Sequence, residues 1–210
     1  MNLKTLNSYT ASTIRNMSKA ELMNKYKAVV IGASTGGIEA LGIILSYLPD
    51  DFNQAIIIVL HLSPQSKGLH QVLSRQCHMK IKEAEEKEKI KSGVVYTAPP
   101  NYHLMVEEDE TFSLSVSGHI NYARPSIDVL FETAADAYRE KLIGIILTGA
   151  NSDGSQGLHK IKEYGGLVIV QDPFTAERDS MPIAAIAVSE IDYILTLDKI
   201  GLLLADFIKQ

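Results

Sequence analysis

The segment over residues 28–41, AVVIGASTGGIEAL, constrains what this chain can fold into more than any other stretch. An apolar run over 28–31 meets Gly32-Ala33-Ser34-Thr35-Gly36-Gly37 and passes directly into a segment with Ile38, Leu41 and Leu45 at helical spacing. The pattern is strand, tight turn, helix. Gly32 and Gly36 bracket Ser34 as G-x-S-x-G, in which small residues let the chain turn sharply enough to hold a serine hydroxyl out at the end of a strand. That serine stands at a helix N-terminus, where free backbone N–H groups and the positive end of the helix dipole stabilise an oxyanion. Ser34 is the candidate nucleophile. A Gly-rich turn of this kind also cradles phosphates or simply reverses the chain, and on this stretch alone that alternative stays open. The dinucleotide pattern G-x-G-x-x-G and the nucleoside-triphosphate pattern G-x-x-x-x-G-K-[ST] are both absent.

Beyond this segment the pattern alternates. Continuous apolar runs at 55–60, 142–147 and 167–171 have the character of strands buried on both faces. Helical patterns separate them: one following residue 37 and ending near 47–49, then 68–76, one from about 126, one ending near 164, 183–188 and 199–208. This predicts an α/β fold, a doubly wound, mostly parallel sheet with helices on both faces. Short strands are expected at 80–84 and 193–197, and those at 94–98, 102–106 and 112–116 are expected to form an antiparallel interruption. The mixed charge run over 83–91, EAEEKEKIK, reads as a solvated connection.

Length and composition bound the function. A chain of 210 residues suits a single domain, expected over 27–210, preceded by a polar arm or linker over 1–26 rich in Asn, Ser, Thr and Lys. No stretch approaches the roughly 18 consecutive apolar residues that a membrane span needs, and residues 1–27 carry no secretory apolar core, so the expected location is the cytoplasm. The net charge of −5, with no long basic block, argues against nucleic-acid binding. Cys77, the single cysteine, can form neither an intrachain disulfide nor a cysteine-based metal site, and is read as packing.

In open parallel sheets, ligands bind outside the carboxyl ends of the strands, which all lie along one edge. Three predicted strands end in suggestive residues: Ser34 follows the first, His61 the second, and Asp153 follows the 142–147 strand through a Gly-flanked loop. A nucleophile, a base and an orienting acid from separate parts of the chain can therefore converge on one edge, as a serine hydrolase requires. Taken singly, each has a plainer reading: His61 as a satisfied polar residue, Asp153 as a cap of the helix that follows it. The order Ser, His, Asp differs from the Ser, Asp/Glu, His order of the α/β-hydrolases. His70, His78 and His159 fall in or beside predicted helices, and His103 and His119 in the hairpin region. Their spacing forms no zinc motif, and neither metal nor cofactor is expected.

The blocks IGASTGG, VLHLSP, ARPSIDVLF and ILTGANSDGSQGL together resemble the catalytic domain of the chemotaxis receptor methylesterases, the CheB family, in matching order from about residue 27 to the end. The resemblance implies a Rossmann-like doubly wound sheet with an antiparallel hairpin, and a triad of Ser34, His61 and Asp153. It implies hydrolysis of glutamate methyl esters, and deamidation of certain glutamines, on the cytoplasmic domain of methylated chemoreceptors. The alternatives kept beside it are an esterase acting on another methylated protein, a receptor-binding module without turnover, and a phosphate-binding module. Against a dinucleotide site, His61 stands where Asp or Glu would hold the ribose.

This sequence departs from the family in two places. The family usually carries an N-terminal receiver domain, whereas 27 residues precede the first predicted strand here. Phosphorylation control in cis is therefore not expected, and a separate response-regulator receiver protein is the partner that would act in trans. Ala150, Asn151 and Ser152 stand where the family usually has methionine and glycine before the aspartate. On this reading the N–H groups of Thr35 and of the Ala150 loop are the candidate oxyanion donors. Arg124 is a candidate for steering the acidic substrate edge, with a structural salt bridge or helix cap as its other reading. Met181-Pro182 is read as wall or packing.

Overall fold

The computed structural model describes residues 25–62 and 68–206, so the segment expected to be an arm lies almost wholly outside the described residues. The strands are β1 (Ala28–Ala33), β2 (Ala55–Leu60), β3 (Lys80–Glu83), β4 (Val94–Thr97), β5 (His103–Val106), β6 (Phe112–Ser115), β7 (Leu142–Ile146), β8 (Leu167–Gln171) and β9 (Tyr193–Leu195). The helices are α1 (Gly37–Ser46), α2 (Leu69–Leu73), α3 (Ile127–Tyr138), α4 (Ser155–Glu163), α5 (Ser180–Val188) and α6 (Leu197–Asp206). Seven strands form one parallel sheet in the order β3-β4-β2-β1-β7-β8-β9, and β5 pairs antiparallel with β6 as a separate hairpin.

The central strands are apolar at every position because successive side chains feed opposite cores. In β1, Val29, Ile31 and Ala33 pack with Leu41, Ile44, Leu45 and Ile200 from α1 and α6, while Ala28 and Val30 join Leu130, Phe131, Leu158 and Met181 from α3, α4 and α5. Tyr26, just before β1, is already buried in the first of these cores.

β4 departs from the sequence reading. It does not belong to the antiparallel interruption but runs parallel between β3 and β2. The reason is burial on both faces: Val95 enters one core and Tyr96 the other, where its ring meets Phe112 edge-on at 4.9 Å. The 183–188 helix starts earlier, at Ser180, taking Pro182 into a first turn where its missing N–H has no helical acceptor to lose. The 68–76 helix is shorter, Leu69–Leu73.

Candidate active site

Parallel register fixes the site before any side chain does. Ala33 pairs with Leu60, and Gly32 with Ile146, so β1, β2 and β7 end level at the centre of the sheet. The residues that follow are tied across: His61 N–H donates to the Ala33 carbonyl at 3.1 Å, Leu147 N–H to Gly32 at 2.9 Å, and Ser34 N–H to Thr148 at 2.9 Å. Gly32 is small because α3 starts against it; a Cβ there would lie 2.3 Å from Ile127 Cγ2. That close approach brings the α3 N-terminus to the edge where β1, β2 and β7 end.

Ser34 and His61 line one cavity of about 540 Å³, with Thr35, Ile38, Leu60 and Gln76. The His61 ring engages the acid, its Nε2 standing 2.8 Å from Asp153 Oδ2. No hydrogen bond joins Ser34 to His61 in this arrangement. The Asp153 side chain is fully buried, while that of His61 is 13% exposed where it lines the cavity, so their interaction is shielded from water on the Asp153 side.

Asp153 does not cap the helix that follows it. Gly154 is the N-cap of α4, and the Asp153 carboxylate reaches across to the start of α3. Ile127 N–H donates to Oδ2 at 2.7 Å, while Ser126 Oγ at 2.8 Å, Asn121 Nδ2 at 3.1 Å and Asp128 N–H at 3.2 Å donate to Oδ1. Burial by itself would raise this carboxyl; the bonds from His61, Ile127, Asn121 and Ser126 outweigh it and hold Asp153 below the usual carboxylate range. Asp128 goes the other way. Burial pushes it up to about 6, opposed by its bond from Gly157 N–H and reinforced by the Asp153 charge.

The start of α1 has no side-chain cap. Gly37 N–H turns back to the Ser34 carbonyl at 2.8 Å, and among the described residues the Thr35 and Gly36 N–H groups find no backbone acceptor. Thr35 is exposed, and its carbonyl accepts from Thr148 Oγ1 at 2.9 Å. Thr148 N–H in turn donates to Gln171 Oε1 at 2.9 Å, tying the ends of β7 and β8 to the turn. Ala150 is exposed in the same loop, where Asn151 Oδ1 accepts from Asp153 N–H at 3.2 Å and shapes the approach to the acid.

Arg124 does not reach the cavity lining. Its guanidinium donates to Asn101 Oδ1 at 2.8 and 3.1 Å and to the carbonyls of Val116 and Ser117 at 2.8 and 2.9 Å, bonds that support a structural role. Met181 is buried against Gly149, where a Cβ would meet its Sδ at 1.9 Å and Ser34 Cβ at 2.9 Å. Gly149→Ala must therefore displace one or the other. The expected result is a loss of about 1–3 kcal/mol, read as a lower denaturation midpoint; an unchanged midpoint would show that this wall yields freely.

Ser126, Asn121, Asp128, Thr148 and Gln171 carry site contacts that the sequence reading did not single out. Only Ser126 had a signal, as the residue at the start of a predicted helix. His103, placed in the hairpin, is buried; its Nδ1 accepts from Ser126 N–H at 3.1 Å and its Nε2 donates to the Gly118 carbonyl at 3.0 Å. It steadies the residue bonded to Asp153. Among the described residues no helix is long and apolar enough to cross a membrane.

Comparison with known proteins identifies the family. The family model for CheB methylesterase matches residues 29–204. A relative from Leptospira interrogans, named a putative protein-glutamate methylesterase/protein-glutamine glutaminase, is 59% identical over 177 residues, covering 84% of this chain and 92% of the relative. The protein-glutamate methylesterase/protein-glutamine glutaminase of Thermotoga maritima is 40% identical over 178 residues, covering 83% of this chain but 52% of that longer protein. The crystal structure of the Thermotoga maritima CheB methylesterase catalytic domain superposes with a TM-score of 0.83 at 38% identity, covering 87% of this chain and 99% of that domain. With the parallel sheet, the level strand ends and the His61–Asp153 pair in place, these matches show that the chain belongs to the CheB methylesterase family.

Proposed function

We propose that Ser34, His61 and Asp153 carry the methylesterase activity of this chain as nucleophile, general base and orienting acid, acting on glutamyl methyl esters of chemoreceptor cytoplasmic domains. The observation that carries the reading is the 2.8 Å bond from His61 to a fully buried Asp153, beside a cavity that His61 shares with Ser34. Nε2 is engaged by Asp153, so Nδ1 is the ring nitrogen that takes the Ser34 proton as Oγ attacks the ester carbonyl. The developing oxyanion is met by the Thr35 N–H at the uncapped start of α1 and by an N–H of the Ala150 loop, each donor contributing about 3 kcal/mol in the transition state.

The imidazolium then returns its proton to the departing methoxide, and methanol leaves. Water attacks the acyl-serine, the same nitrogen takes one of its protons and passes it to Ser34 Oγ as the acyl bond breaks, and the glutamic acid product gives its remaining proton to solvent and leaves as the carboxylate. A glutamine side chain enters the same sequence with ammonia as leaving group, as the names of the relatives imply for those proteins. The setting is the cytoplasm, where receptor methylation sites lie, with a separate receiver protein as the regulatory partner in trans.

The test is methanol release from a methylated chemoreceptor cytoplasmic fragment. Wild-type protein is expected to release it, and His61→Gln to lower kcat by about 10⁴-fold or more. A folded wild-type protein that releases none overturns this substrate.

A further inference from the structure

We propose that Asn121 is a positioning residue for the triad: its carboxamide, set between the carboxylates of Asp128 and Asp153, fixes the Asp153 orientation that presents Oδ2 to His61. Both Nδ2 hydrogens are used, one toward Asp128 Oδ2 at 2.8 Å and one toward Asp153 Oδ1 at 3.1 Å. The other oxygen of Asp128 accepts from Gly157 N–H at 2.8 Å, so the carboxylate that anchors Asn121 is itself held by α4. Every other donor to Asp153 apart from His61 comes from residues 126–128 at the start of α3. Among the described residues, Asn121 is the one donor besides His61 that reaches Asp153 from outside the start of that helix, and it does so from an exposed turn.

A plainer account competes. Ile120 and Ala123 exchange backbone bonds of 3.1 and 2.9 Å, and between them Asn121 and Tyr122 take φ of 50° and 62°. Asn is favoured in such a two-residue turn whatever its side chain touches. Glycine satisfies the same turn without a carboxamide. Asn121→Gly therefore removes the bridge and keeps the backbone.

The chemistry gives the bridge a signature. A donor on Oδ1 withdraws charge from the carboxylate and lowers its affinity for a proton. Without it, Asp153 binds the adjacent imidazolium more tightly, so the ring surrenders its proton at higher pH in the variant than in the wild type. The carboxylate also loses one of the bonds that set its rotation, which affects the reaction rather than substrate capture. A residue serving only the turn moves neither quantity.

This inference rests on the esterase reading, and the experiment separates the two. The His61 ring is followed by NMR against pH in the full chain, wild type and Asn121→Gly, beside kcat and KM for methanol release from a methylated chemoreceptor fragment. The expected result is a His61 titration midpoint moved to higher pH, kcat lowered about tenfold, and KM unchanged within about twofold. An unmoved titration overturns the proposal whatever the activity does, and so does a moved titration with unchanged kcat. If wild type releases no methanol but the titration moves in Asn121→Gly, the hold on Asp153 stands and the esterase reading falls.

Discussion

Ser34→Ala is expected to abolish methanol release from a methylated receptor fragment, with kcat falling on the order of 10⁶-fold or below detection. The fold should not register the change. Ser34 N–H still donates to the Thr148 carbonyl, Gly37 N–H still turns back to residue 34, and the lost hydroxyl forms no bond to His61 in the resting site. The variant should therefore match wild type in circular dichroism and melting temperature. That separates loss of the nucleophile from loss of structure. Activity retained within about tenfold would mean that His61 activates water directly and no acyl-serine forms.

The second large effect is at Asp153, and it divides between two substitutions. Asp153→Asn keeps the size of the side chain but replaces one acceptor oxygen with a donor amide. Facing His61 Nε2–H and Ile127 N–H, or Ser126, Asn121 and Asp128 N–H, that amide opposes donors with a donor. The imidazole then loses the partner that fixes its tautomer, and kcat is expected to fall about 10⁴-fold. Asp153→Ala leaves Ser126 Oγ and the N–H groups of Ile127 and Asp128 buried and unpaired, at a cost of about 3–5 kcal/mol seen in chemical denaturation. A change under about 1 kcal/mol would mean that water enters to replace the carboxylate.

The pH dependence has a definite sign. The folded state holds Asp153 below its ordinary value, so its contribution is present above the unfolded carboxylate range and lost as pH falls through the lower, folded value. The stability gap between wild type and Asp153→Ala should narrow on acidification. Asp128 is raised, so its contribution is full below the unfolded range and lost as pH rises through about 6.

The parts of this candidate site that come together were legible in the chain because they stand at the ends of strands. Apolar runs before Ser34, His61 and the Asp153 loop mark those ends, and a parallel sheet places all of them on one edge. The partners of Asp153 were not legible. Ser126 and Asn121 lie 27 and 32 residues from it, and nothing local records which helix start a buried carboxylate will reach. The placement of β4 failed for a related reason. A short apolar run between turn signals states that it is a strand, not which neighbour it will join.

The sequence by itself determined the alternation of strands and helices, the strand-turn-helix that holds Ser34, and the family blocks in their order. These are local matters of periodicity, small residues and chain direction. The tertiary structure alone decided that Asp153 serves the start of α3 rather than the helix after it. It also turned Arg124 toward Asn101, Val116 and Ser117, and set Asn121 between two carboxylates. The physical reason is that a buried polar group must find partners in three dimensions, and the donors that satisfy it come from whichever elements the packing of the cores brings within reach.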